Sequence, residues 1–185
     1  MSSDRGRRFL PFVLTACILV VDQVTKLLVV EFIPQGTIAK KFFGDFLWIC
    51  HVRNTGAAFS MGAGGSDFMR IVFFIVLPVA LMCAIAWAVA TRRDVLSNAQ
   101  RWFAAGILGG GLGTIVDRIF RFDEGVVDFI SVKFYGLFGL ERWPTFNVSD
   151  SCVVVFVLLF ALSVLFGGSG KGERVGNGHG KERSK

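Results

Sequence analysis

The 185-residue chain is 53% hydrophobic, contains 20 Phe and has a mean hydropathy of +0.59. That is too apolar for an ordinary soluble domain, and it reads as a polytopic membrane protein. The formal charge of +6 is not a nucleic-acid footprint, because Lys and Arg gather in short segments beside the apolar stretches; no nucleic-acid partner is expected.

Arg5, Arg7 and Arg8 precede the first apolar stretch, at about 9–32. A span needs ~20 apolar residues to cross a hydrocarbon core of ~30 Å. Leu14-Thr15-Ala16-Cys17 imitates the end of a bacterial lipoprotein signal, but apolar residues continue through Ile18, Leu19, Val20 and Val21 where a mature lipoprotein would turn polar. Asp22 and Lys26 lie one helical turn apart within this span.

The segment from about 33 to 67 is aromatic and β-branched between Phe42 and Arg53, so a strand is expected with Phe46, Trp48, Cys50 and Val52 on one face. Asn54-Thr55-Gly56 supplies turn chemistry, and Gly62 to Ser66 reads as a flexible approach to the second span, at about 68–90. A small sheet on the membrane surface, aromatics at headgroup level, suits this composition.

Arg92, Arg93 and Arg101 bracket the next connection, and a third span is expected at about 102–120. Its glycines at 106, 109, 110, 111 and 113 include two small-xxx-small spacings, which let a neighbouring backbone approach closely. The span ends in Asp117-Arg118; a segment at about 121–146 carries Asp128, and a fourth span at about 147–166 opens with Asn147 and Asp150. The residues from 167 to 185, rich in Gly, Lys and Arg, are expected to be a disordered basic tail that touches anionic lipid.

The basic segments at both ends and between the middle spans put both termini in the cytoplasm, with the loops at 33–67 and 121–146 facing outward. Counting ~1.5 Å of rise per residue then places Asp22, Asp117, Arg118 and Asp150 in the outer third of the bilayer, where an isolated charge costs several kcal/mol. Such groups are expected to face one another in a shared polar pocket. Each has a plainer reading: Asp22 and Lys26 as a structural ion pair, Asn147 and Asp150 as a helix cap, Asp128 as a loop acid, Asn54 as a turn former, and Asp117-Arg118 as an interfacial pair. Asn147-Val148-Ser149 also matches a glycosylation acceptor, poorly placed at the membrane. Scattered cysteines (Cys17, Cys50, Cys83, Cys152) and only two histidines argue against a disulfide framework or a metal site.

The chain resembles lipoprotein signal peptidase (signal peptidase II), an aspartyl protease family of the bacterial inner membrane. Asp22 to Lys26 looks like its D-x-x-T-K segment, and Asn54 to Phe59 like its N-x-G-A-A-F. Gly110 to Arg118 is similar to its glycine-rich stretch ending in D-R, Val126 to Phe129 to its V-x-D-F, and Phe146 to Asp150 to its F-N-x-[AS]-D. Order and approximate spacing agree from about residue 9 to 166. Two departures stand out: Thr114 occupies the position of the family's Asn in G-N-x-x-D-R, and the stretch from Ser131 to Trp143 is longer than usual.

The resemblance implies a membrane all-α fold of four transmembrane helices, with a small periplasmic β-sheet, or cradle, between helices 1 and 2 and a periplasmic loop between helices 3 and 4. Residues 9–166 would form a single protease domain behind a cytoplasmic stretch at 1–8. Asp128 and Asp150 would be the catalytic pair, acting without metal or cofactor on prolipoproteins whose lipobox cysteine carries a diacylglyceryl group, and cutting on its amino side. Asn54 and Arg118 would contact substrate backbone or lipid headgroup, while Asp22, Lys26, Asp117 and Asn147 would orient the pair and Gly110 would support it. Membrane lipid, globomycin as inhibitor and a monomeric state complete the expectation. A proton-coupled transporter would instead need polar groups down to the inner leaflet, where the spans hold few, and a scaffold subunit would tolerate loss of the acids.

Overall fold

The computed structural model describes residues 8–56, 67–92 and 94–166. The glycine-rich approach at 62–66, the motif end at Ala57-Ala58-Phe59 and the basic tail lie outside the described residues.

Four helices are long and apolar enough to cross a membrane: α1 (Pro11–Phe32), α2 (Asp67–Thr91), α3 (Asn98–Phe120) and α4 (Val148–Phe166). In hydrocarbon the backbone must satisfy its own hydrogen bonds, so continuous apolar stretches of 19 to 25 residues fold as helices. The expected spans agree within a few residues, save that α3 starts four residues before Trp102. Ser97 caps it by a reciprocal box, its hydroxyl accepting from Gln100 N (3.2 Å) while Ser97 N donates to Gln100 Oε1 (2.9 Å). An apolar count cannot see this polar first turn.

The centre of the bundle is α3: 56% of its apolar window is buried, against 6% for α2 and α4. Its glycines make this possible. A Cβ on Gly110 would stand 2.6 Å from Ser149 O and 2.8 Å from Val153 Cγ2 on α4, and one on Gly113 would strike Ser149 Oγ and the Asp22 carboxylate. Thr15 Oγ1 adds an interhelical bond to Ala105 O (2.7 Å).

A π-helical stretch, Val72–Val76, interrupts α2, with Leu77 N donating to Val72 O. Pro78 follows; lacking an N–H, it leaves the Phe74 carbonyl without its usual α-helical donor, and the turn widens.

A three-stranded antiparallel sheet, order β1-β2-β3, lies beside the helix ends. It comprises β1 (Ile38–Phe42), β2 (Leu47–Asn54) and β3 (Val126–Val132). The sheet is therefore not confined to the connection between α1 and α2: Asp128, read as a loop acid, lies on β3, opposite Val52. The aromatic run from Phe42 is divided by a turn at 43–46, where Phe43 and Gly44 adopt positive φ. A register shift between Ile49 and Val52 also breaks the expected alternation, so that Cys50 and His51 are both buried while Val52 is exposed. Val127 and Phe129 pack against Val29, Ile33 and Val148, which fixes β3 to α1 and α4.

The Gly110→Ala variant is expected to be destabilised by about 1–3 kcal/mol through overpacking at the α3–α4 contact. A lower thermal midpoint of the purified protein in detergent would show it; an unchanged midpoint would mean that α4 can stand off from α3 without cost.

Candidate active site

The polar residues expected to share one pocket fall into two groups. Behind the start of α4, Lys26 Nζ sits between Asp22 Oδ2 (2.8 Å) and Asp117 Oδ2 (2.6 Å), all three side chains being fully buried. Arg121 pairs with the other oxygen of Asp117. Asp22 Oδ1 accepts the backbone N–H of Ser149 at 2.9 Å, and Gln23 Nε2 bridges Asp22 and Gly113 O, each at 3.1 Å. Two acids are matched by two cations, the condition for holding charges away from water. The Asp22–Lys26 pair thus exists, and it is tied into α3 and α4.

The second group surrounds Asp128, which is 2% exposed. Its Oδ1 accepts from Asn147 Nδ2 at 2.8 Å and its Oδ2 from Asn54 Nδ2 at 3.1 Å. Asn147 is also the N-cap of α4: its Oδ1 accepts from Asp150 N (3.0 Å), and its own N–H donates to Asp150 Oδ2 (3.1 Å). The capping reading of Asn147 and Asp150 is therefore literally correct and coexists with a second role, since the same Asn147 bonds both carboxylates.

Asp128 and Asp150 line one cleft of about 440 Å³, together with Asn54, Thr114 and Arg118. Burial pushes the Asp128 carboxyl up to about 7, helped by the nearby charge of Asp150 and opposed by the Asn54 and Asn147 hydrogen bonds and by Lys26. A carboxyl poised near neutrality beside a second acid can take a proton from water or give one up.

Arg118 diverges from its neighbour Asp117. Its guanidinium donates to Asn54 O at 3.1 Å and to Gly56 O, and it lies 4.9 Å from the centre of the Phe74 ring. The expected Asp117-Arg118 charge pair is thus split: Asp117 turns inward to Lys26, and Arg118 turns to the cleft. Asn54, expected to touch substrate or lipid headgroup, spends its side-chain amide on Asp128 and accepts from Gly56 N with its oxygen (3.1 Å). Gly110 acts by letting α4 approach α3 at Ser149, the residue before Asp150.

Sequence reasoning did not find Phe74, Pro78, Trp143, Pro144 and Thr145, which also line the cleft. Pro78 within an apolar span was the available signal for an altered turn, one that brings Phe74 to Arg118. Trp143 to Phe146 are held beside β3 by the bonds Trp143 N to Val132 O (2.9 Å) and Phe146 N to Ile130 O (3.0 Å). Only long-range pairing reveals that placement.

Residues 14–166 match the signal peptidase (SPase) II family. A lipoprotein signal peptidase of Treponema denticola is 51% identical over 146 residues, 79% of this chain and 83% of that protein. Another from Borrelia hermsii is 42% identical over 166 residues, 90% and 95% of the two chains. A bacterial membrane enzyme solved by the in meso method at 2.3 Å shares the fold, with a TM-score of 0.74 over 90% of this chain and 94% of its own at 24% identity. A match that runs through all four spans and both sheet-forming segments makes this chain a member of the signal peptidase II family.

Proposed function

We propose that this multi-pass membrane protein is an aspartic endopeptidase that removes the signal peptide from diacylglyceryl-modified prolipoproteins, cutting on the amino side of the lipidated cysteine. The observation that carries the reading is the double use of Asn147, which bonds Asp128 and Asp150 at the wall of one cleft while Asp128 titrates near neutrality. Relatives named lipoprotein signal peptidase support the substrate class.

In this mechanism the two carboxyls share one proton, and their apparent pKa values belong to the pair. The ionised member takes a proton from a water in the cleft as the water oxygen attacks the scissile carbonyl carbon. The protonated member hydrogen-bonds the developing oxyanion. When the tetrahedral intermediate collapses, a proton passes to the leaving nitrogen, the C–N bond breaks, and the pair again holds one proton. Asn54 and Asn147 orient Asp128. Lys26, Asp22 and Asp117 fix the start of α4, and with it Asp150. Arg118, already bonded to two backbone carbonyls, has the donor geometry to hold substrate backbone at the cleft mouth.

The protein resides in the bacterial inner membrane as a monomer, both termini cytoplasmic and the cleft at the periplasmic face. There the signal helix and lipid tails remain in hydrocarbon while the scissile bond reaches the interface. Globomycin is proposed to occupy the same cleft.

Asp128→Asn and Asp150→Asn are each expected to lower kcat for a lipidated prolipoprotein by roughly 10³-fold, with the protein still folded in the membrane. Full processing by either variant in a gel-shift assay would refute the pairing. Cleavage by the parent protein should be blocked by globomycin, and activity that persists at saturating inhibitor would separate the inhibitor site from this cleft. The pH dependence gives a further check. Asn54 donates to the ionised form of Asp128 and lowers its pKa, so Asn54→Ala raises it. The acid limb of the kcat–pH profile should therefore move to higher pH; a shift to lower pH would contradict the assignment.

A further inference from the structure

Three non-glycine residues among those described have positive φ, and all three are exposed aromatics: Phe43 (82% exposed), Tyr135 (70%) and Phe138 (83%). Phe43 heads the turn between β1 and β2. Tyr135 and Phe138 lie on a finger, residues 133–142, that prolongs β3 past the end of the sheet. The finger closes on itself through Phe134 N to Glu141 O (2.8 Å) and Gly136 N to Leu140 O (3.0 Å).

The two turns are stapled together. Lys133 N donates to Phe46 O (2.8 Å), and Lys133 Nζ reaches Asp45 Oδ2 (3.2 Å). Arg142 lies 3.6 Å from the centre of the Trp48 ring and donates to Asp45 O (2.9 Å) and Ser131 O (2.9 Å). The finger is thus firmly based while its tip stands clear: a Cβ at Gly136 or Gly139 would meet nothing within 4 Å. Left-handed backbone at a bulky residue is uncommon and costs energy, and here it is spent on three rings that stand mostly exposed.

We propose that this double tip, Phe43 with Tyr135, Leu137 and Phe138, inserts into the headgroup–acyl boundary of the leaflet on the sheet side of the membrane. Charge selects this occupant. Lys40, Lys41, Lys133 and Arg142 stand at the base of the two turns, each set over an aromatic ring, against the carboxylates of Asp45 and Glu141. Aromatic side chains collared by cations are the composition of a lipid–water interface, with anionic headgroups meeting the excess positive charge. Position agrees. β3 is packed on the ends of α1 and α4, whose apolar flanks already face hydrocarbon, so the sheet starts at the membrane surface. The finger is then an anchor that sets the height and tilt of the sheet carrying Asp128. The inference depends on the membrane-spanning fold and not on the cleavage chemistry.

The test uses Phe138→Trp, and in parallel Leu137→Trp, in the full chain carrying Asp128→Asn, reconstituted in phosphatidylethanolamine–phosphatidylglycerol vesicles; the emission of the parent is subtracted. Lipid brominated near the headgroup should quench the added emission about twofold, and aqueous iodide should leave it unchanged. Quenching by iodide with no effect of bromine would overturn the proposal. So would bromine quenching seen only after prolipoprotein is added, which would make the finger a substrate contact. The readout is the location of the added Trp and not turnover, so the result does not depend on the catalytic assignment.

Discussion

The structure depends on one buried cation. Lys26 on α1 has no contact with water and is held between Asp22 of its own helix and Asp117 of α3. An unmatched charge at this depth would cost several kcal/mol. Matching it demands that α1 and α3 keep one register, and α3 is glycine-rich where it must pass close to its neighbours. Asp22 then spends its second oxygen on the backbone N–H of Ser149, at the first turn of α4. Three helices are thereby locked around a neutralised polar core, and the residues next to the locked point are Asn147 and Asp150.

From that point the site builds outward. α4 begins where Asn147 caps it, and the same asparagine reaches Val127 O (3.3 Å) and Asp128 on β3. Asp128 is buried because Val127 and Phe129 on either side of it pack on α1 and α4. This burial, reinforced by Asp150, raises its proton affinity. Asn54 from β2 and Asn147 from α4 serve the two oxygens of Asp128, so Thr114 in the cleft wall is not needed to supply an amide to either.

Much of this was legible in the chain because membranes enforce simple rules. Four apolar stretches gave four helices, but the charges counted to one depth divide between the Lys26 core, which takes Asp22 and Asp117, and the cleft, which takes Arg118 and Asp150. Other features arise from long-range pairing and leave little local trace. Val126 to Val132 becomes a strand only because β2 offers an edge. The alternation at Phe46, Trp48, Cys50 and Val52 fails because a register shift changes the face presented after Ile49. Arg118 could be placed at the right depth but not aimed, since its partners are backbone carbonyls and the ring of Phe74, brought near by the wide turn ahead of Pro78. At Asn147 the plain structural reading is correct, and the cap that starts the helix is also the hydrogen-bonded link between Asp128 and Asp150.

The proposed mechanism requires Asp128 and Asp150 to titrate as a coupled pair in one cleft. Carbon-13 NMR of the aspartate carboxyls, followed against pH in wild-type protein and in Asp150→Asn, tests it most directly. One resonance should titrate with a midpoint near 7 and be lost in Asp128→Asn. In Asp150→Asn, where the neighbouring charge is gone, that midpoint should move to lower pH. An Asp128 carboxyl titrating at about 4, as in solvent, and indifferent to residue 150 would contradict it.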